Sequence, residues 1–304
     1  MHHVIKLPYD RGSMNKNLGC AKAPDKLLEL FLSLYPDKSN IIKILDIKLN
    51  DIYEDKQAHK IIEMSIKSLL SKSNYNNERF IFLGGDHSIT YPTYKAIHDV
   101  VFAMPNNLNK QVSSPINLLN QTDQTSKNYR NQHHHTNKDT IGLVVFDAHP
   151  DCVSSDVVPT HEDWLRSLIS HHYIDAQDVY IIGVRDIDKT EQTFITSNKI
   201  KVFHTQDVFN NIEDFTESLM SNLLKYKYLY ISIDIDVLDP AFAPATGYPS
   251  PGGLATRELF YMLMKLSKLR NLMFIDIVEI NPIIDKQYNY LTSSIGARLI
   301  SIFL

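Results

Sequence analysis

Eight short β-rich runs punctuate this chain, and several of them end in or run into glycine, histidine or acid. "FIFL" runs into "GGDHS" (Gly84–Ser88), and "IGLVV" runs into "FDAHPD" (Phe146–Asp151). "YLYISIDID" carries Asp234 and Asp236, with Asp239 just beyond, and "MFIDIV" stops at Glu279. Charged groups at the end of a buried strand are costly unless something neutralises them. The pattern therefore constrains both what the chain folds into and what it binds.

The runs read as strands at Val4–Leu7, Ile42–Lys48, Phe80–Leu83, Ile141–Phe146, Val179–Gly183, Lys201–His204, Tyr228–Asp234 and Leu272–Val278. Helical patterns fall at Pro24–Tyr35, Gln57–Ser71, Tyr91–Val101, Glu162–Ser170, Ile212–Leu224, Thr256–Leu266 and Leu291–Ile302. Strands alternating with helices imply a mostly parallel sheet covered on both faces. Strands that are apolar almost throughout belong in such a doubly covered sheet. The expected fold is a three-layer α/β/α arrangement around a roughly eight-stranded sheet, with residues 1–304 forming one domain. The segment from about 104 to 140 is rich in Asn, Gln, Ser and Thr and reads as a flexible polar insertion. Its His133–His135 triplet reads as solvated.

With 304 residues, 43% hydrophobic and 22% charged, the composition is that of a globular protein. A net charge of -4 gives no reason to expect nucleic acid or a membrane surface as partner. No apolar run approaches a membrane span. Two cysteines, Cys20 and Cys152, are too few for a disulfide framework and fit a reducing, cytoplasmic setting. The N-terminal residues lack a secretory apolar core.

In an open parallel sheet, ligands bind beyond the carboxyl ends of the strands. His87, Asp147, His149, Asp151, Asp234 and Asp236 would converge there, with i and i+2 pairs facing one way. Each motif alone could be a turn or a cap, but together at successive strand ends they point to a site. Four carboxylates cannot share one small volume as free anions. Two divalent cations would neutralise them, and a carboxylate-rich set with some imidazole favours Mn(II), with other first-row metals open.

The chain resembles the ureohydrolase family, which contains arginases, agmatinases and related guanidino-acid hydrolases. The resemblance is carried by "LGGDHSITYP", "LVVFDAHPD" and "SIDIDVLDPAFAPATGYPSPGG", and extends from "NLGCAKAPD" to "EINP". It implies two Mn(2+) per subunit. His87, Asp147, Asp151 and Asp234 would hold one ion; His149, Asp147, Asp234 and Asp236 would hold the other. Asp147 and Asp234 would bridge, and a hydroxide between the ions would attack the guanidino carbon to release urea and an amine. The same resemblance gives Asp151 a role in orienting that hydroxide and has Glu279 grip the guanidinium. It makes His161 the proton donor to the leaving amine, on a loop shorter than arginases carry.

For the substrate's tail, "GVRDID" offers Asp188, with Asp186 as the alternative, to sense an α-amino group. Ser154 and Ser155 are candidates for an α-carboxylate. "PATGYP" and "EINP" look arginase-like, whereas "GGDHSITYP" looks more like agmatinases. Arginase is preferred over agmatinase, and other ω-guanidino acids stay open. By resemblance the partner is a small guanidino substrate and the assembly a homo-oligomer, trimer or hexamer. A zinc-dependent deacetylase would need one metal and a paired-histidine motif, which is not found at a strand end. A non-catalytic scaffold would be expected to lack some of the six ligands, and all are present.

Overall fold

The computed structural model describes residues 1–49, 52, 54–73, 78–103, 140–154 and 157–304. The insertion, apart from Thr140, lies outside them, as does Ser155. Eight parallel strands form one sheet: β1 (His2–Leu7), β2 (Ile42–Asp46), β3 (Phe80–Gly84), β4 (Ile141–Phe146), β5 (Val179–Val184), β6 (Lys201–His204), β7 (Tyr228–Asp234) and β8 (Leu272–Val278). Their order is β2-β1-β3-β8-β7-β4-β5-β6. All residues of β3, β4, β5, β7 and β8 are buried, while the edge strands β2 and β6 have none fully buried. That contrast is why the inner strands read as continuous apolar runs.

Alternate side chains of each strand feed two separate cores, one per face. Ile81, Leu83, Val144, Phe146, Ile231, Ile233, Ile275 and Ile277 pack on one side. Helices α1 (Ala23–Leu34), α7 (Ile212–Leu223), α8 (Thr256–Leu266) and α10 (Leu291–Ile302) cover them with Phe31, Leu223, Met262 and Leu299. Phe80, Phe82, Leu143, Val145, Ile181, Tyr230 and Phe274 face the other way. There α2 (Asp55–Leu70), α3 (Thr90–Ala103) and α4 (Trp164–Ser170) contribute Ile62, Ile97 and Leu168, and α5 (Lys189–Asn198) contributes Ile195.

The strands expected from sequence are all present within two residues at either end. Three helices were absent from the expected set: α5, α6 (Thr205–Asn210) and α9 (Pro282–Asp285). In "KTEQTFITSN" the apolar residues are few and the β-branched ones many, so neither period nor propensity signals a helix. It is started instead by a capping box in which Asp188 accepts from the backbone of Thr190 and Glu191.

His59 on α2 is buried between the rings of Tyr9 and Tyr91, at centroid distances of 5.7 and 6.3 Å. Its Nε2 has no hydrogen-bond partner among the described residues. Burial therefore depresses its pKa from 6.5 to about 4. Between those values the unfolded chain takes up a proton that the folded one refuses, so stability falls as pH drops through this window. His59→Leu is expected to lose less unfolding free energy between about pH 7 and pH 4.5 than the parent, measured by urea denaturation. Equal losses would show that His59 does not set the acid limb.

Candidate metal centre

The four strands that carry chemistry, β3, β8, β7 and β4, are consecutive in the sheet although β3 and β8 lie almost 200 residues apart in sequence. Register brings the functional ends level: Phe146 pairs with Ile233 and Asp234 with Val278, so Asp147, Asp234 and Glu279 emerge side by side. His87 arrives from the turn after β3. Gly85 allows this turn, because a Cβ there would collide with the Tyr9 carbonyl.

Around His87 Nδ1 stand Asp147 Oδ2 at 3.1 Å, Asp151 Oδ2 at 3.0 Å and Asp234 Oδ2 at 3.1 Å. His149 Nδ1 lies 3.1 Å from Asp236 Oδ2 and 3.6 Å from Asp147 Oδ1. Three carboxylates spend one oxygen on backbone and present the other to the cluster. Asp147 Oδ1 accepts from His149 N (2.7 Å), Asp234 Oδ1 from Asp236 N (2.9 Å) and Asp236 Oδ1 from Ala148 N (3.1 Å). Trp164, fully buried, donates its indole N–H to Asp151 Oδ2 at 2.6 Å and packs 4.7 Å from the His87 ring.

Behind His87 runs a buried chain that sequence reading did not single out. His87 Nε2 lies 2.8 Å from the Ser232 hydroxyl, which donates to Asp276 at 2.6 Å. Asp276 is fully buried and also accepts from Tyr230 and Thr90. With Nε2 occupied, His87 turns Nδ1 to the carboxylates. A lone acid inside the apolar strand "LMFIDIV" was the available signal. Arg185, also missed, donates to five backbone carbonyls: those of Gly183, Asp236, Val237, Leu238 and Ser250. It thereby holds the turn that carries Asp236.

Glu279 sits in the left-handed region at φ 64°, as does Asp151 at φ 50°. Glu279 Oε1 accepts from His87 N at 2.7 Å and Oε2 from Asn17 Nδ2 at 2.6 Å. His161 is buried, with Nδ1 3.7 Å from Glu279 Oε1. Its Nε2 makes no hydrogen bond among the described residues. Of the tail candidates, Ser154 is exposed, and Asp188 is exposed and engaged in capping α5. Asp186 comes closer, 3.8 Å from His149 Nε2. Cys152 is a buried free thiol whose backbone N–H is tied to Glu191.

Without a cation the electrostatics conflict. Burial and the neighbouring Asp147 push Asp151 up to about 7. Burial, Asp236 and Asp147 drive Asp234 well above the usual carboxylate range. Burial and Asp86 raise Glu279 to about 8. Burial opposes charge on His149, yet Asp236 and Asp147 hold its pKa up at about 12. Burial likewise lowers the His161 pKa to about 4, leaving it neutral near neutral pH. Protons are thus held where positive charge is needed. Buried His87 Nδ1 and Asp147 Oδ2 make no hydrogen bond among the described residues. Two groupings have ligand atoms within 4.8 Å of one another, His87–Asp147–Asp234 and Asp147–His149–Asp236. Carboxylate oxygens with imidazole nitrogen, orphaned and converging, fit divalent first-row metal ions.

Fold and donor set together define an α/β protein with a buried carboxylate–imidazole cluster at its strand ends that could hold metal ions. The chain belongs to the arginase family, whose model matches residues 2–119 and 124–304. It is therefore a ureohydrolase-type enzyme, a hydrolase acting on C–N bonds of linear amidines. It is 28% identical over 240 residues to an arginase of Entamoeba histolytica, covering 74% of this chain and 70% of that protein. It is 27% identical over 261 residues to a formimidoylglutamase of Bacillus subtilis, covering 84% and 68%. The solved structure of the Bacillus subtilis formimidoylglutamase superposes with a TM-score of 0.80 at 21% identity, over 99% of this chain and 85% of that one. Among the described residues no helix is long and apolar enough to cross a membrane.

Asp186 and Asp188 make different demands. Asp188→Ala is expected to lower the unfolding free energy measurably, because it removes the α5 cap. Asp186→Ala, at a half-exposed carboxylate, should cost under about 0.5 kcal/mol. Chemical denaturation of the two variants distinguishes them, and equal costs would contradict the assignment of the cap.

Proposed function

We propose that this chain is a manganese-dependent hydrolase that converts a guanidino compound to urea and an amine, with L-arginine preferred over agmatine. The observation that supports it most is the meeting of Asp147, Asp151 and Asp234 around one orphaned imidazole nitrogen, with Asp236 and His149 alongside. One ion would be held by His87, Asp147, Asp151 and Asp234, and a second by His149, Asp147, Asp234 and Asp236. Such ions, when bound, lower the pKa of water enough to supply a nucleophile near neutral pH.

The chain's own groups do the rest. Each Glu279 oxygen has a lone pair left after its bond to His87 N or Asn17, so the pair can accept a guanidinium fork. Asp151, clamped by Trp164, orients the attacking water. His161, beside Glu279 and neutral near neutral pH, relays to the departing nitrogen a proton released by the adding water, with Nε2 free of any hydrogen bond among the described residues. Water adds to the central carbon, the bond to the alkyl-bearing nitrogen breaks, and that nitrogen leaves protonated as the amine. Ser154, Ser155 and Asp188 are retained as candidates for contacts to the tail.

Arginine is preferred because "GVRDID", "PATGYP" and "EINP" resemble arginases, and because the Entamoeba relative bears that name. N-formimidoylglutamate is the second candidate, suggested by the Bacillus relative. We further propose a cytoplasmic homo-oligomer, a trimer or hexamer; the two buried free thiols suit a reducing compartment.

The test is release of urea or formamide from arginine, agmatine, 4-guanidinobutyrate and N-formimidoylglutamate by manganese-loaded protein. No turnover of any would sink the reading. Asp147→Ala and Asp234→Ala are each expected to lose both ions, read by metal analysis of the purified protein. Two ions retained would contradict the shared ligands. Ser232→Ala should weaken metal affinity roughly 10- to 100-fold in chelator competition, because it releases His87 Nε2.

A further inference from the structure

One ring, that of Tyr248, neighbours both the imidazoles beside the carboxylate cluster and a cation. Tyr248 stands with its ring centroid 6.0 Å from that of His149 and 5.5 Å from that of His161. Lys16 Nζ lies 4.7 Å from the same Tyr248 centroid and 2.9 Å from Glu162 Oε1. Glu162 Oε1 in turn accepts from the Tyr248 hydroxyl at 3.4 Å and lies 3.8 Å from His161 Nε2. Lys16 and Glu162 are both partly open to solvent, with side chains 46% and 32% exposed. A lysine ammonium thus sits one aromatic ring away from the two imidazoles that border the reacting centre.

We propose that Lys16 is a specificity-determining residue that receives a carboxylate at the far end of the substrate, in exchange for Glu162. The proposal rests on the reading of the Asp147 cluster as the reacting centre. Solvent screens a half-exposed ion pair such as Lys16–Glu162, so exchanging one carboxylate for another costs little. The face of Tyr248 holds the ammonium in place while the exchange occurs. Glu162 is still tied to the Tyr248 hydroxyl and remains at the rim. A substrate whose tail ends in an ammonium gains nothing here and is repelled by Lys16. The substrate class is therefore the ω-guanidino or ω-amidino acids rather than the ω-guanidino amines. The selecting charge comes from the N-terminal loop, not from the segment after Asp151.

L-Arginine and L-argininamide differ at the carboxylate alone, so their comparison isolates this contact. In the manganese-loaded parent, kcat/KM should favour arginine by at least about tenfold. Lys16→Gln should erase that preference through KM, with kcat for arginine held within about twofold, and should raise kcat/KM for agmatine. Lys16→Arg should restore the preference, and Glu162→Gln should lower KM for arginine by freeing the ammonium. A preference for arginine that survives in Lys16→Gln overturns the proposal, as does an equal fall for both substrates. If the parent hydrolyses no amidine, the function proposed above fails instead. Calorimetry of L-ornithine against putrescine then decides the role of Lys16. A preference for ornithine that is lost in Lys16→Gln supports it, and a preference absent in the parent or unchanged in the variant overturns it.

Discussion

Everything in this molecule is arranged around carboxylates that cannot all be charged in one dry volume unless cations join them. Asp147, Asp151, Asp234 and Asp236 are buried, and three of them lie about 3 Å from one imidazole nitrogen. The sheet order is the device that creates this convergence. Placing β8 and β7 between β3 and β4 puts four functional strand ends next to one another. The two apolar cores on either face then hold those ends level, which the close packing of protein interiors allows to fractions of an ångström.

The local backbone carries a cost for that convergence. Asp151 and Glu279 both occupy the left-handed region, where a side chain with a Cβ costs about 1–2 kcal/mol. Each is held there from several directions. Asp151 is fixed by the Trp164 indole and by the backbone contact from Arg166 N to its carbonyl. Glu279 is fixed by Gly85, His87 and Asn17. Strain at such positions persists only when the surroundings over-determine it, and here the surroundings come from the N-terminal loop, the β3 turn and α4.

Much of the fold was legible from sequence. The inner strands are covered on both faces, so their apolar runs appear in sequence without ambiguity. The convergence of His87, Asp147, His149, Asp151, Asp234 and Asp236 was expected because each follows or ends such a run. Asp276 and Ser232 were not, because a polar residue inside a strand reveals its partner only once β7 and β8 are paired. Helix α5 escaped notice because its start depends on the Asp188–Glu191 capping box rather than on an apolar stripe. Arg185 looked like one more loop cation, and only the folded turn shows five carbonyls converging on it.

By itself the sequence determined the layer architecture and the chemistry of the donors, since both follow from local patterns of period, length and residue type. Tertiary structure alone decided which loops form the rim. Lys16 and Glu162 are 146 residues apart and Tyr248 is further still, yet one ion pair and one ring bring them together beside His161. No local pattern encodes such a meeting, because it depends on how far three separate loops overhang the sheet. The donor set is therefore written along the chain, whereas the meeting of Lys16, Glu162 and Tyr248 is written across it.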